Sequence, residues 1–496
     1  MADPAQGRTV DGPNTEARSG RIVGILALAG IVAALTQTLV VPLIGELPNI
    51  LGTSSSNASW VITATLLAAA VITPVSGRLG DMYGKRRILL ASTVPMVAGS
   101  VLCALTSSVG PMIVGRGLQG LGMGVIPLGI SLLRDVLPVE RLGTSIALMS
   151  ASMGVGGALG LPFAAAVAEH ASWRALFWVT AGFSLLVGTL IWLFVPSGRV
   201  STTRAPFDVL GAVGLGSALV CLLLAVSKGA DWGWSSATTL GLFAAALILL
   251  PLWARWELRV KDPLVDLRVN GRPQILLTNA ASVLVGFSMY AQSLVIPQLL
   301  QLPEATGYGL GQSMIAMGLW MAPAGLMMMA MAPFGARLSA ARGPKVTLAV
   351  GSLAIAAGYL SALVLLGSTW GLLAVTLICN SGVGLAYGAM PALIMSGVPQ
   401  SETGSANSFN ALMRSIGSSV AAAVMGVVLA QLTTEFGGFA LPSENGFRVA
   451  LLIGAGVALA AAAVAATIPV RPLAAPESAS ESADGTPPRE ATRAEV

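Results

Sequence analysis

Charge is what this chain has least of. Only 10% of its 496 residues are Asp, Glu, Lys or Arg, against roughly 25% in soluble domains. Hydrophobic residues make up 55% and mean hydropathy is +0.80, which excludes a water-soluble protein. Histidine occurs once (His170) and cysteine three times (Cys103, Cys221, Cys379). Each cysteine lies in an apolar run without metal-ligand or pairing spacing, so all three read as small core residues and no metal is expected. No G-x-x-x-x-G-K-[ST] pattern is present, which excludes ATP-driven pumping by this chain. No nucleophile–base pair stands out, so neither an enzyme nor a cofactor is expected. The net charge of +5 does not point to nucleic acid, because the cations lie in short loops between apolar runs.

Those runs are long. Fourteen windows of about twenty apolar residues, the length that crosses a bilayer as a helix, fall near 22–45, 58–76, 88–107, 111–133, 143–167, 174–195, 208–227, 236–255, 275–299, 311–332, 346–367, 369–396, 408–431 and 447–469. Barrel strands would instead alternate polar and apolar over about ten residues. The pair at 208–255 is separated by D-W-G-W at 231–234. Of 27 Lys and Arg, two (Arg116, Arg414) lie inside spans and three (Arg174, Lys228, Arg448) at outer connections; the other 22 share one side with both termini. That asymmetry predicts cytoplasmic N- and C-termini and hence an even number of spans. Residues 1–20 and 471–496 read as disordered tails, and the first span as an uncleaved insertion signal. The basic segment 255–272 reads either as an amphipathic helix on the cytoplasmic leaflet or as a solvated connector.

The most informative stretch is Gly77–Arg87, G-R-L-G-D-M-Y-G-K-R-R. Three glycines suited to a tight turn, one carboxylate and four cations make it a cytoplasmic loop between the second and third spans. A degraded copy, Pro333–Lys345, keeps glycines and cations but loses the carboxylate, as expected of two parallel halves that arose by duplication. Arg116, a cation near mid-span, needs a polar partner such as Gln119 or a wet cavity. Polar residues within spans (Thr36, Gln37, Asn279, Gln292, Gln298, Asn380, Tyr387, Asn410) either line a cavity or bridge helices. Met317, Met321, Met327–Met329 and Met331 form an adaptable binding surface or ordinary helix packing. His170 sits beside Glu169 at an outer loop.

The 77–87 stretch, fourteen spans and a central extra pair resemble the fourteen-helix drug:proton antiporter branch of the major facilitator superfamily, over about residues 22–470. G-R-G-L-Q-G-L-G-M-G (115–124) matches the R-x-x-Q-G pattern of that family, and G-V-G-G-A-L-G-L-P (154–162) is similar to its antiporter motif. The resemblance implies an all-α integral membrane protein of the major facilitator fold: an N-terminal six-helix bundle (21–200), two extra helices with a basic linker (201–272) and a C-terminal six-helix bundle (273–470). It gives Gly77, Arg78, Asp81, Gly84, Lys85, Arg86 and Asp135 a gating role, with Asp81 set against a helix N-terminus of the opposite half. It makes Arg116 and Gln119 coupling candidates and Gly154, Gly157, Gly160 and Pro162 a helix-packing motif. This chain departs from the branch in span 1, where Leu35-Thr36-Gln37-Thr38-Leu39 replaces an aspartate pattern, with no acid before Glu46. No carboxylate lies in the middle of any span, so proton coupling does not follow and permanently cationic cargo is disfavoured. Thr36, Gln37, Asn279, Gln292, Asn380, Asn410 and Arg414 are the substrate-cavity candidates, and Arg116 and Arg414 point to neutral or anionic compounds. The expectation is a monomeric secondary active transporter in the plasma membrane that exports small organic substrates by alternating access, with protons as the candidate coupling partner. The rivals are an uncoupled or differently coupled exporter or facilitator of one native metabolite, and a non-transporting membrane sensor or scaffold.

Overall fold

The computed structural model describes residues 13–40, 43, 47–197, 206–436 and 439–469. The tail at 471–496, the first twelve residues, Glu46 and the boundary near 200 lie outside them. Among the described residues, fourteen helices are long and apolar enough to cross a membrane. With no water to satisfy backbone groups in hydrocarbon, each apolar run has one stable solution, the helix.

Spans 1 to 6 are Ser19–Thr38, Trp60–Tyr83, Lys85–Leu105, Val109–Val136, Glu140–Ala164 and Arg174–Phe194; they share a core around Leu26, Leu89, Leu128, Met149 and Ile191. Spans 9 to 14 are Pro273–Gln301, Met314–Arg342, Pro344–Leu365, Thr369–Gly397, Gln400–Gln431 and Glu444–Thr467, around Val285, Met328, Tyr359, Val383 and Phe447. Spans 7 (Val209–Trp232) and 8 (Ala237–Glu257) form the extra pair. Asp208, Ser236, Ser313, Ser368 and Ser443 cap helix starts by accepting from an amide three residues on, which satisfies donors that have no intrahelical partner. Span 4 breaks at Gly122–Gly124 between Val109–Leu121 and Val125–Val136.

Several expectations are corrected. The stretch 77–87 is mostly helix rather than loop: helix continues through Tyr83 and resumes at Lys85, leaving the expected tight turn to Gly84 alone, at φ +98°. The copy at 333–345 behaves alike, turning at Gly343 with φ +85°. A glycine is needed at each because side chains disfavour positive φ. Residues 13–20 are helical rather than disordered. Segment 255–272 is no surface helix. After Glu257 it turns, buries Leu264 and Val265 completely, and re-enters a short helix, Leu267–Asn270, capped by Asp266. Lys228 belongs to span 7 rather than to a connection and is 1% exposed.

An antiparallel hairpin, β1 (Thr433–Phe436) and β2 (Phe439–Pro442), joins spans 13 and 14. The sequence signal for it was the Gly437-Gly438 pair between residues of strand preference.

Candidate functional site

Two features sit between the halves: a polar cluster at one end and a cavity at mid-depth.

The cluster is built on the last turn of span 2. Asp81 is 6% exposed and accepts from the amides of Gly404 (2.9 Å) and Ser405 (2.7 Å), the first turn of the helix Thr403–Gln431 in span 13. A carboxylate there meets unpaired N–H groups and the positive end of the helix dipole. The approach requires Gly77, because a Cβ there would lie 2.5 Å from the Gly404 carbonyl oxygen. Lys85 is 3% exposed. Its Nζ donates to Asp135 Oδ2 (2.8 Å), Thr403 Oγ1 (2.8 Å) and the Ser131 carbonyl (3.3 Å), and lies 3.9 Å from Asp81 Oδ1. Ser131 Oγ donates to the Thr403 carbonyl at 2.8 Å, and Asn407 Nδ2 to Ser131 Oγ at 3.3 Å. Spans 2, 3 and 4 are thereby joined to span 13. Arg78 adds positive field at Asp81. Arg86 points elsewhere, donating to the Trp192 carbonyl in the last turn of span 6 (2.5 Å) and to Ser197 just beyond that span (3.3 Å).

The cavity, of about 190 Å³, lies between the bundles and is lined by Gln37, Leu66, Tyr290, Tyr387, Arg414 and Ser418 among others, with Arg414 the one charged side chain among its lining residues. Arg414 donates to Asn410 Oδ1 (2.6 Å) and its guanidinium carbon stands 5.0 Å from the Tyr387 ring centroid. Asn410 in turn donates to Asn279 (2.9 Å) and Ser282 (2.7 Å). This relay orients the arginine from behind, in a planar geometry suited to oxygen acceptors and aromatic faces.

Of the cavity candidates from sequence, Gln37 and Arg414 line it and the others do not. Thr36 donates to the Val32 carbonyl (2.7 Å), Asn279 and Asn410 belong to the relay, Gln292 is 3% exposed, and Asn380 donates to the Thr376 carbonyl (2.9 Å). Arg116 is not a cavity arginine. At 1% exposure it donates to the carbonyls of Val61 (3.2 Å) and Thr36 (2.9 Å) and to Gln119 Oε1 (2.6 Å), while Gln119 donates to Ser100 Oγ (2.7 Å). It ties spans 1, 2 and 4 together, its charge spread over fixed dipoles. Met317 and Met328 are buried in the C-terminal core, and none of the methionines in that stretch lines the cavity. His170 faces the Ala166 carbonyl at 3.0 Å.

The span 5 glycines serve different neighbours. Gly154 faces Met328 of span 10, Gly160 faces Thr38 and Leu35 of span 1, and Gly157 faces open space. Pro162 lies against Gly318 of span 10, whose added Cβ would be 3.0 Å from the proline nitrogen. Sequence reasoning missed the residues that receive Asp81 and Lys85 (Thr403, Gly404, Ser405, Ser131). Backbone amides and small hydroxyls carry no distinctive signature.

Two helical bundles that enclose a central cavity and are clasped at one end define a membrane transport fold. The Major Facilitator Superfamily profile matches residues 26–422, and the chain belongs to that superfamily. An uncharacterized MFS-type transporter of Mycobacterium tuberculosis is 32% identical over 304 residues, 61% of this chain and 43% of that protein, so the chain spans less than half the length of this relative. The tetracenomycin C resistance and export protein of Streptomyces glaucescens is 28% identical over 422 residues, 82% of this chain and 75% of that one. The solved proton:xylose symporter XylE superposes with a TM-score of 0.63 at 14% identity, covering 92% of this chain and 96% of its own, and shares the fold.

Proposed function

We propose that the protein is a secondary transporter that exports neutral or anionic organic compounds by alternating access, as a monomer in the plasma membrane with both termini in the cytoplasm. The observation that carries this reading is the inter-bundle cavity with Arg414 as its one charged lining residue. A permanently cationic cargo would meet an uncompensated guanidinium there, whereas an acidic or carbonyl oxygen would be its partner. Similarity to a tetracenomycin C resistance and export protein supports export over uptake. The Lys/Arg surplus puts the Asp81 cluster on the cytoplasmic side, so this conformer is closed to the cytoplasm. At about 190 Å³ the cavity is smaller than the roughly 300–1,000 Å³ of drug-sized sites, so loading requires the bundles to rock apart. Opening would break the Asp81 and Lys85 contacts and expose Arg414 to cargo from the cytoplasm. Any coupling role for Arg116 and Gln119 would act through the tie between spans 1, 2 and 4, since neither reaches the cavity.

One observation favours a second reading. None of the cavity-lining residues is a carboxylate, so flux need not be exchanged for protons at this site.

The test is flux in proteoliposomes over neutral, anionic and cationic compounds, with and without an imposed pH gradient. Arg414→Ala should lower anionic flux by about 10-fold or more, the scale of one charge-assisted contact, while leaving the folded yield near normal. Equal transport of cations, or unchanged anionic flux in Arg414→Ala, would overturn the proposal. Gradient-driven flux would remove the second reading.

A further inference from the structure

Span 7 lies outside both six-helix bundles, yet two of its side chains, Leu223 and Ser227, line the central cavity alongside residues of spans 1, 2, 9, 12 and 13. They are four residues apart and therefore share one face of the helix. The same helix is wedged between the bundles. Leu215, Leu219 and Leu223 are buried in one cluster with Ala70 of span 2 and Leu412 of span 13. Gly216 lets the backbone close on span 2, where an added Cβ would lie 3.2 Å from Val71 Cγ1. Toward its far end, buried Lys228 donates to Ser59 Oγ just before span 2 and to Asp231 (3.1 Å), with its Nζ 5.2 Å from the Trp60 ring centroid. Opposite this packed face, Leu210 and Val213 are 63% and 59% exposed and face away from both bundles. Span 7 is therefore registered about its own axis, with one face fixed toward the cavity.

We infer that the inserted helix is a wall of the substrate site and that Leu223 and Ser227 select among cargoes. This rests on the cavity being the site of transport. Leu223 is 4% exposed and sets how much apolar width the cavity allows. Ser227 is exposed within the cavity and supplies a hydroxyl that both donates and accepts. With Arg414 on span 13 and Leu66 on span 2, the favoured cargo has an apolar face and a hydrogen-bonding oxygen on each of two edges, one of them acidic or carbonyl. The wedge also seals the space between spans 2 and 13 against lateral access from lipid at that depth.

The test has two arms. Cys103 and Cys379 are buried and Cys221, on span 7, is half-buried, so Cys221→Ala supplies a quiet background. In it, Ser227→Cys, Ser418→Cys and Val213→Cys are exposed to a charged, membrane-impermeant thiol reagent applied to both sides of proteoliposomes. Because the thiolate reacts and forms only where water reaches, Ser227→Cys should be modified within about 10-fold of the rate at Ser418→Cys, and Val213→Cys should stay unmodified. Ser227→Cys as inert as Val213→Cys would overturn the inference whether or not any compound is transported, so a failed wall and a failed export reading are told apart.

In the second arm, Leu223→Ala and Leu223→Phe should shift the ratio of kcat/KM between a bulky and a slim cargo in opposite directions, each by about 5-fold or more, the scale on which apolar pockets discriminate. An equal loss for every cargo would mean that Leu223 only packs the helix, and would overturn the selective role.

Discussion

The two bundles meet along two seams, and these are closed by different means. Where span 5 meets span 10, the contact is apolar and at mid-depth. A Cβ added to Gly325 would run into the Gly154 carbonyl oxygen, Gly154 faces Met328, and Gly318 backs onto Pro162. Where span 2 meets span 13, direct contact includes the Gly77–Gly404 approach at one end, and there it is polar: Asp81 on two backbone amides and Lys85 among Asp135, Thr403 and Ser131. Further along this second seam, span 7 fills the gap.

The degraded copy at 333–345 aligns Ala340 with Asp81 when Gly343 is set on Gly84, so the first seam has no counterpart of the carboxylate. At that end it carries a groove of about 470 Å³ lined by Gly20, Gly24, Glu140, Arg141 and Met329 among others. Small residues let helix backbones approach closely, and the van der Waals contacts between them are individually weak and lost gradually as helices tilt. A buried polar cluster is either made or broken. We propose that the span 5–span 10 seam is the fulcrum of the rocking motion and the span 2–span 13 seam its latch.

The largest expected effect breaks the latch at Lys85. Lys85→Ala leaves Asp135 and Asp81 as buried carboxylates without their cation, a loss of about 3–5 kcal/mol. Transport should fall below detection, and Lys85→Ala/Asp135→Asn should recover part of it because the stranded charge is gone. A double variant no better than the single one would show that Lys85 acts outside this cluster. Next in size is Asp81→Asn, which puts an amide N–H₂ toward one of two backbone donors. With about 1.5–3 kcal/mol for hydrogen bonds to a charged group, the closed state should be depleted and flux reduced about 10- to 100-fold at normal expression. Wild-type flux would remove Asp81 from the latch.

These distinctions were only partly legible in the sequence. The fourteen spans could be counted because hydrocarbon leaves a long apolar run no alternative to helix. The 77–87 stretch read as a loop because its charges lie past the apolar run, but a helix can extend out of the hydrocarbon, and only Gly84 departs from helical geometry. Arg116 and Arg414 looked alike as mid-span cations. What separates them is contributed by other spans: the carbonyls of Thr36 and Val61 enclose Arg116, while Asn410 and Tyr387 leave Arg414 facing the cavity. The buried carboxylate of Glu257, which accepts from Trp253 Nε1 (2.8 Å) and the Val265 amide (3.4 Å), was hidden in a segment read as basic surface. A motif names residue types, whereas facing is settled by partners far away in the chain.

The glycines of the fulcrum show this most sharply and give the smallest expected effect. Gly154 and Gly157 stand in one sequence motif, yet only Gly154 abuts span 10, through Met328 and the close approach of Gly325; nothing lies within 4 Å of a Cβ on Gly157. Gly157→Ala should therefore be neutral or stabilising by about 0.5–1 kcal/mol, the helix gain of alanine over glycine, with flux unchanged. Gly325→Ala places a methyl against the Gly154 backbone, which cannot swing aside as a side chain would. Prising the helices apart should cost about 1–3 kcal/mol, seen as a lower melting temperature in detergent and a flux reduced several-fold. If the two alanines behave alike, the seam has no close-packed fulcrum, and the contrast with the polar latch fails at its apolar end.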